Sequence, residues 1–486
     1  MNAFDYFFEK TLKLEKNFLV GKENLSFKDL YNSSLFLASY LRKEFGQNKN
    51  ILLLSVNNKF FLTVYFAIIK SGNVCIPLDP NIEKGNFEYI SDLTKPVMIF
   101  MTRDIERKVS AGSIRCIFPD TINQEEYKAS FHENTKDVSN ETCAEIIFTS
   151  GSTGIPKGVM ISHKNLIANT ESIITYLKLN QNDRMLVVLP FYYCYGLSLL
   201  HTHLRVGGSI VLNNSFIFLG SIINNLLEYK CTGFAGVPSH FQILLRKSDN
   251  FKNTIFPYLK YVTQAGGKLA PIFIDEFRKS HPEVTFIVMY GQTEATARLS
   301  YLPPELYEAK KGSMGKGIPG VELRVVNEAG EKIKPGEIGE VLAHGDNIML
   351  GYFADEEGTK NAIRDGWLYT GDLGTVDQDG FIFLTARKKE IIKVGGKRIS
   401  PKEIEAVILE LPEVVDCTIE GIDDELLGEA LKATIVIRPE KGKEEILDRI
   451  KQHCSQHLAL YKIPKVFDLS EQLVISATGK KIKGNL

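Results

Sequence analysis

The 486-residue chain is 44% apolar and 24% charged, and 58 basic against 59 acidic residues leave a formal charge of -1. Such a balance describes a soluble globular chain of about three structural units and offers no global field for nucleic acid or an anionic membrane. Seven cysteines, scattered and never spaced C-x-x-C, fit reduced thiols in a cytoplasmic protein better than a disulfide or zinc framework.

In chain order, the opening MNAFDYFFEKTLKLEK has acids at its front and no small-residue cleavage site, so it does not read as a secretory signal. NILLLSV reads as a buried strand, FFLTVYFAIIKSG has helical length and stops at a glycine, and NVCIPLDP is a strand ended by a turn. This βαβ unit predicts a parallel sheet covered by helices. The pattern recurs at MLVVLPF, GSIVLNN, YVTQAGG and TFIVMYG. Ligands of such folds sit at the carboxyl ends of the strands. The uncharged stretch from Met185 to Leu204 contains Pro190, Gly196, His201 and His203. It reads as buried core, not as a membrane span of about 20 residues. The two histidines have no other ligand candidates nearby in sequence, so packing is expected of them before metal binding.

From about Gly315 short strands alternate with glycine turns, which predicts a small β-rich subdomain over about 315–386. Beyond TARKKEIIKVGGKRIS the helix and strand patterns return. SPKEIEAVILEL opens with a serine cap and a proline at the first helical position. VVDCTIEGI and ALKATIVIRP read as strands, and EEILDRIKQHCSQHL as an amphipathic helix. The expected class is therefore α/β: a large N-terminal domain, 1–387, that includes the β-rich subdomain, and a small α+β C-terminal domain, 388–486.

Residues 146–163, IIFTSGSTGIPKGVMISH, place Thr149, Ser150, Gly151, Ser152, Thr153 and Gly154 ahead of Lys157 and Gly158. Glycines let backbone N–H groups turn inward, hydroxyls add donors, and the lysine supplies charge for a polyphosphate. A Walker A loop opens directly onto a helix. Here a β-like run, GVMIS, follows, and the helix begins only near Ser162, so the loop reads as a hairpin able to close over phosphates.

FTSGSTGIPKGV, YGQTEAT, GWLYTGDLG, RKKEIIKVGGKRISPKEIE and TGKKIKGNL occur in the order and rough spacing of the AMP-forming adenylate synthetase superfamily. The chain resembles that superfamily over nearly its whole length. Its members are acyl-CoA synthetases, peptide-synthetase adenylation domains and luciferase-like enzymes. The resemblance implies ATP, Mg2+ and a carboxylic acid as reactants, with an acyl adenylate formed and pyrophosphate released. Such chemistry needs positioning and electrostatic stabilisation above all.

The resemblance assigns Thr149, Ser150, Gly151, Ser152, Thr153, Gly154 and Lys157 to the departing phosphates. Thr293 matches the α-phosphate contact and Glu294 the Mg2+ ligand. Gly266, Gly267, Tyr290 and Gly291 match the adenine site, and Asp372 and Arg387 the ribose contacts. Lys480 matches the lysine that bridges the carboxylate and the α-phosphate. Lys389 lies where the family hinges its mobile C-terminal domain. Lys393, Gly395 and Gly396 are expected to meet the thiol carrier, either CoA or the phosphopantetheine of a carrier protein.

Tyr192, Tyr193, Gly196, Gly236 and Gly266 are expected to line the acyl pocket. Amino-acid-activating relatives place an aspartate after the P-F segment to pair an ammonium, whereas LPFYYCYGLSLLHTHL has no acid. An unpaired buried ammonium is costly, so an acyl or aryl acid is expected before an amino acid. Tyr193 stands where acyl-CoA synthetases often carry His or Trp, while CIPLDPN is closer to carrier-loading domains. Free CoA and a carrier protein acting in trans therefore both fit. An amino-acid-activating enzyme is the alternative. A silent nucleotide-binding scaffold fits less well, because Lys157, Glu294, Asp372, Arg387 and Lys480 occur together.

Overall fold

The computed structural model describes residues 1–109, 111–122, 138–150, 155–438 and 443–470. A seven-stranded sheet runs through Gly351–Tyr352, Pro156–Ser162, Cys143–Ser150, Val74–Leu78, Asn50–Leu54, Met98–Met101 and Cys116–Ile117. Its strands from Cys143–Ser150 to Cys116–Ile117 pair in parallel. The crossover helix Lys59–Ser71 ends at Gly72, which takes the left-handed conformation that stops a helix.

A nine-stranded sheet runs through Lys316–Gly317, Ser300–Leu302, Thr285–Tyr290, Tyr261–Gln264, Gly233–Gly236, Arg184–Val187, Ser209–Leu212, Asn17–Leu19 and Leu25–Ser26. It is parallel from Thr285–Tyr290 to Asn17–Leu19. The α/β class is thus as the strand and helix pattern implied.

Apolar residues of both sheets and of the helices Lys59–Ser71 and Cys194–Val206 join in one core. Within it lies a polar knot. Tyr65 donates its hydroxyl to Glu145 Oε2 at 2.7 Å and sits 2.7 Å from His201 Nε2. His201 also stacks on Phe7 with ring centroids 4.6 Å apart. Burial pushes the Glu145 carboxyl up to about 7 and the His201 imidazole down to about 3. His203 Nδ1 lies 2.9 Å from Leu199 O within its own helix.

The β-rich stretch forms a five-stranded sheet of Val321–Val326, Gly339–Gly345, Trp367–Val376, Ile363–Arg364 and Ile382–Arg387. Two short strands leave it: Lys316–Gly317 pairs into the nine-stranded sheet, and Gly351–Tyr352 pairs with Val159 and Met160 of the seven-stranded one. These excursions bind the small sheet to both large ones.

The last described unit is another five-stranded sheet, Lys397–Ile399, Ile392–Val394, Gly428–Ile437, Val414–Asp424 and Val466–Ser470, with helices Pro401–Ile408 and Lys443–His457. One local expectation fails here. Ser400 caps no N–H of the helix that follows it. Its hydroxyl donates instead to Thr385 O at 2.5 Å, tying the helix start back to the preceding sheet. Pro401, whose fixed φ suits the first helical position, starts the helix without a side-chain cap.

The unit also rests on the helix Pro238–Lys247. Gln242 Nε2 donates to Asp416 Oδ1 at 3.1 Å, and Arg246 Nη1 donates to Leu411 O at 2.8 Å and to Val414 O. Among the described residues no helix is long and apolar enough to cross a membrane.

Candidate active site

A cavity of about 1440 Å³ opens at the carboxyl ends of the nine-stranded sheet, bordered on its far side by Lys402, Glu405, Leu409 and Thr418 of the last unit. Strand Thr285–Tyr290 ends at its wall, and the chain then doubles back. A Cβ on Gly291 would stand 2.0 Å from Ala297 O, so only glycine permits the fold-back. The single 3₁₀ turn Thr293–Ala295 follows, and Thr296 closes it with a positive φ of 64°. This turn sets Thr293 and Glu294 on the cavity wall beside Tyr290. Glu294 O accepts from Met349 N at 2.9 Å, and Asn347 Nδ2 donates to Ala295 O and Arg298 O. The turn is therefore held by the Asn347 side chain and the Met349 backbone of a distant loop.

Asp372 and Arg387 are register partners on adjacent antiparallel strands. Arg387 Nε donates to Asp372 Oδ1 at 3.0 Å, and Tyr290 donates its hydroxyl to Asp372 Oδ2 at 2.5 Å. Burial pushes the Asp372 carboxyl up, opposed by Arg387 and by the Tyr290 hydrogen bond. Asp372 in turn raises the Arg387 guanidinium. The three side chains form one polar plate on the wall.

Strands Cys143–Ser150 and Pro156–Ser162 make the expected hairpin, with Thr149 opposite Lys157, and the helix His163–Leu177 starts only after Ser162 caps it. Lys157 Nζ pairs with Asp355 Oδ2 at 2.7 Å and lies 4.9 Å from the centre of the Tyr352 ring. The Tyr352 hydroxyl donates to Glu294 Oε1 at 2.9 Å. Lysine and carboxylate thus approach the same tyrosine from two sides. The hydrogen bond from Lys157 holds the Asp355 carboxyl below the usual carboxylate range.

At another part of the wall the helix Cys194–Val206 begins. A Cβ on Gly196 would stand 2.1 Å from Pro190 O, which lets the first turn lie against the preceding loop. Cys194 Sγ is 3.4 Å from Thr293 Oγ1, and Tyr195 carries the guanidinium carbon of Arg298 4.0 Å from its ring centre.

Thr149, Lys157, Tyr193, Gly196, Gly266, Gly267, Tyr290, Gly291, Thr293, Glu294, Asp372, Arg387 and Lys389 therefore border one cavity. Others do not. Tyr192 turns to Asp79, whose carboxylate together with burial raises its phenol. Gly236 lies under Phe241, 2.9 Å from a Cβ placed there. The cavity wall takes Tyr193, Cys194, Tyr195 and Gly196 of YYCYG, so Tyr192 and Gly236 stand outside the lining expected of them. Lys393, Gly395 and Gly396 form an exposed hairpin turn in which Gly395 N donates to Leu427 O at 3.0 Å. Gly151, Ser152, Thr153, Gly154, Lys480 and the Ser150 side chain lie outside the described residues.

Three residues of the site went unread in the sequence: Tyr352, Asp355, which pairs with the wall residue Lys157, and Arg298. The first two sit in GYFADEEG, which resembles a solvated turn. Arg298 is a lone cation in EATARLSYL, and that isolation was the one available signal.

The family model for AMP-binding enzyme matches residues 9–353, and that for AMP-binding enzyme C-terminal domain matches residues 403–480. The chain is 29% identical over 478 residues to an oxalate–CoA ligase of Arabidopsis thaliana, covering 95% of this chain and 92% of that protein. It is 31% identical over 346 residues to a 2-succinylbenzoate–CoA ligase of Bacillus licheniformis, covering 71% and 70%. Among solved structures, ATP-bound MatB from Rhodopseudomonas palustris superposes with a TM-score of 0.86 at 25% identity, covering 99% of this chain and 97% of that one.

Proposed function

This chain belongs to the AMP-binding enzyme family, and on that premise we propose that it is an AMP-forming carboxylic acid–thiol ligase. It activates an acyl or aryl acid with ATP, releases pyrophosphate and passes the acyl group to a thiol. The observation that carries the reading is the convergence of Lys157, Thr293, Glu294, Tyr290 and the Asp372–Arg387 pair on one cavity.

In this reading the Tyr290–Asp372–Arg387 plate receives the nucleoside, with Asp372 accepting from the ribose hydroxyls. Thr293 orients the α-phosphate through its hydroxyl. Lys157 and the hydroxyls of Thr149, Ser150, Ser152 and Thr153 neutralise the phosphates that leave. Glu294 suits Mg2+, because its carboxylate borders the cavity and accepts from an uncharged tyrosine rather than from a cation. When bound, the ion supplies charge neutralisation at the phosphate oxygens. Lys480 steadies the two oxygens that approach each other, one from the carboxylate and one from the α-phosphate.

Rotation of the C-terminal unit about Lys389 then exchanges Lys480 for the face carrying Lys393, Gly395 and Gly396, which admits the thiol. The relatives named above are CoA ligases and support CoA as the acceptor. A carrier-protein pantetheine is the second acceptor to test. Oxalate and 2-succinylbenzoate, in the relatives' names, are acids without an amino group, as the absence of a carboxylate after Phe191 suggests for this chain.

The test is acid-dependent ATP–pyrophosphate exchange across fatty, aryl, hydroxy, dicarboxylic and amino acids, with Lys480→Ala alongside. Exchange with one acid class, abolished in the variant while ATP still binds, is expected. An ATP-binding protein that exchanges with none of the acids would refute the reading.

A further inference from the structure

Arg298 is buried, 2% exposed, yet borders the cavity. Its side chain meets only neutral groups, the Tyr176 hydroxyl among them. Nη1 donates to Ala297 O at 3.2 Å, and Nε reaches only Met289 Sδ at 3.4 Å. A thioether is a weak acceptor, and this sulfur is shared with the Tyr176 hydroxyl, 3.0 Å away. The Tyr195 ring covers one face of the guanidinium. Among the described residues no carboxylate lies within ion-pair distance of it.

Three other cations on the wall have carboxylate partners. Arg387 has Asp372, Lys388 has Glu340, and Lys402 has Glu405. Asp372, Glu340 and Glu405 are thus taken by cations other than Arg298. A buried guanidinium facing a cavity with no carboxylate to balance its charge is costly, and an anion that fits it in a forked geometry removes that cost.

The location says which part of a ligand would supply that anion. Tyr195, which carries Arg298 on its ring, follows directly on Cys194, whose thiol touches Thr293. Arg298 therefore lies beyond the turn assigned to the reacting phosphate, toward the first turn of the helix Cys194–Val206. We propose that Arg298 is a specificity-determining residue that selects acids carrying a second anionic group, a dicarboxylate above all. The inference rests on the adenylation reading and deepens it. The same cation repels an α-ammonium group, so it also sets the site against simple amino acids.

The experiment measures kcat/KM for ATP–pyrophosphate exchange by the full-length protein with acids matched in length: succinate against butyrate, glutarate against valerate, phthalate against benzoate. The dicarboxylate of at least one pair is expected to win by about 10-fold or more. Arg298→Met should bring that ratio to about 1, a loss of about 10-fold or more, chiefly through a raised KM for the diacid, because a site built to pair a polar group strongly penalises loss of the match. Arg298→Lys should restore part of the ratio.

A wild-type preference for the monocarboxylate in every pair would overturn the inference, whether or not the variants fold. So would an unchanged ratio in a folded Arg298→Met protein. Exchange with monocarboxylates alone would sink this inference and leave adenylation standing. Exchange with no acid at all would overturn both.

Discussion

Asp355→Asn separates the charge of Asp355 from its structural duty. Asp355 Oδ1 accepts from Gly358 N at 2.8 Å and caps the helix Glu356–Ala362, while Oδ2 pairs with Lys157. Asparagine caps a helix about as well as aspartate, so the substitution keeps the turn and removes the ion pair. Both side chains are more than a third exposed, 39% and 35%, which puts the pair in the range of about 0.2–1 kcal/mol. If Lys157 must leave Asp355 to meet phosphate, that energy opposes ATP binding. Asp355→Asn should then lower the ATP dissociation constant by about 1.4- to 5-fold. Titration calorimetry with Mg–ATP at low and at high salt reads both the gain and its screening. In a Lys157→Ala background the gain should vanish. Weaker ATP binding in Asp355→Asn, or the same gain without Lys157, would refute the exchange of partners.

Glu145→Gln should change how stability depends on pH. The folded carboxyl is raised from 4.5 to about 7, so its protonated form favours the fold below 4.5 and that contribution is lost as pH rises toward 7. The loss is on the order of 3 kcal/mol. Denaturant titrations should show wild type losing ground to Glu145→Gln across that window, and a difference flat with pH would count against the buried carboxyl. Gly196→Ala forces a Cβ to within 2.1 Å of Pro190 O. Overpacking of this kind costs about 1–3 kcal/mol and, in a chain of this size, should lower the melting temperature by about 1–3 °C in a thermal scan.

What could be read from the sequence was whatever lies close together along it. Tyr290, Thr293 and Glu294 share one strand end and one turn, so an apolar run followed by YGQTE was enough to group them. The hairpin around Lys157 was readable because GVMIS alternates like a strand and Ser162 marks the next helix. Contacts made across the fold were not. Asp372 and Arg387 were both matched to the ribose, but only strand register shows that they touch each other. Lys157 meets Asp355, 198 residues away, because a two-residue strand leaves the small sheet to pair with Val159. No local pattern announces such an excursion. Ser400 misled for a related reason: serine before proline signals a cap, but a carbonyl from the neighbouring sheet claims its hydroxyl.

The helix Pro238–Lys247 runs from the cavity to the C-terminal unit. Its first residue, Pro238, borders the cavity, and Gln242 and Arg246, one turn apart on the same face, grip Asp416 and the carbonyls of Leu411 and Val414. A single rod thus has one end against the cavity and the other under the C-terminal unit. Thermodynamic linkage makes this a two-way relation: if a ligand binds the seated form of that unit more tightly than the unseated form, seating strengthens the ligand's binding by the same factor. An acid that pushes on Pro238 would then be felt at Asp416, and the thiol acceptor, by moving the C-terminal unit, would change how firmly the acid's end of the cavity is held.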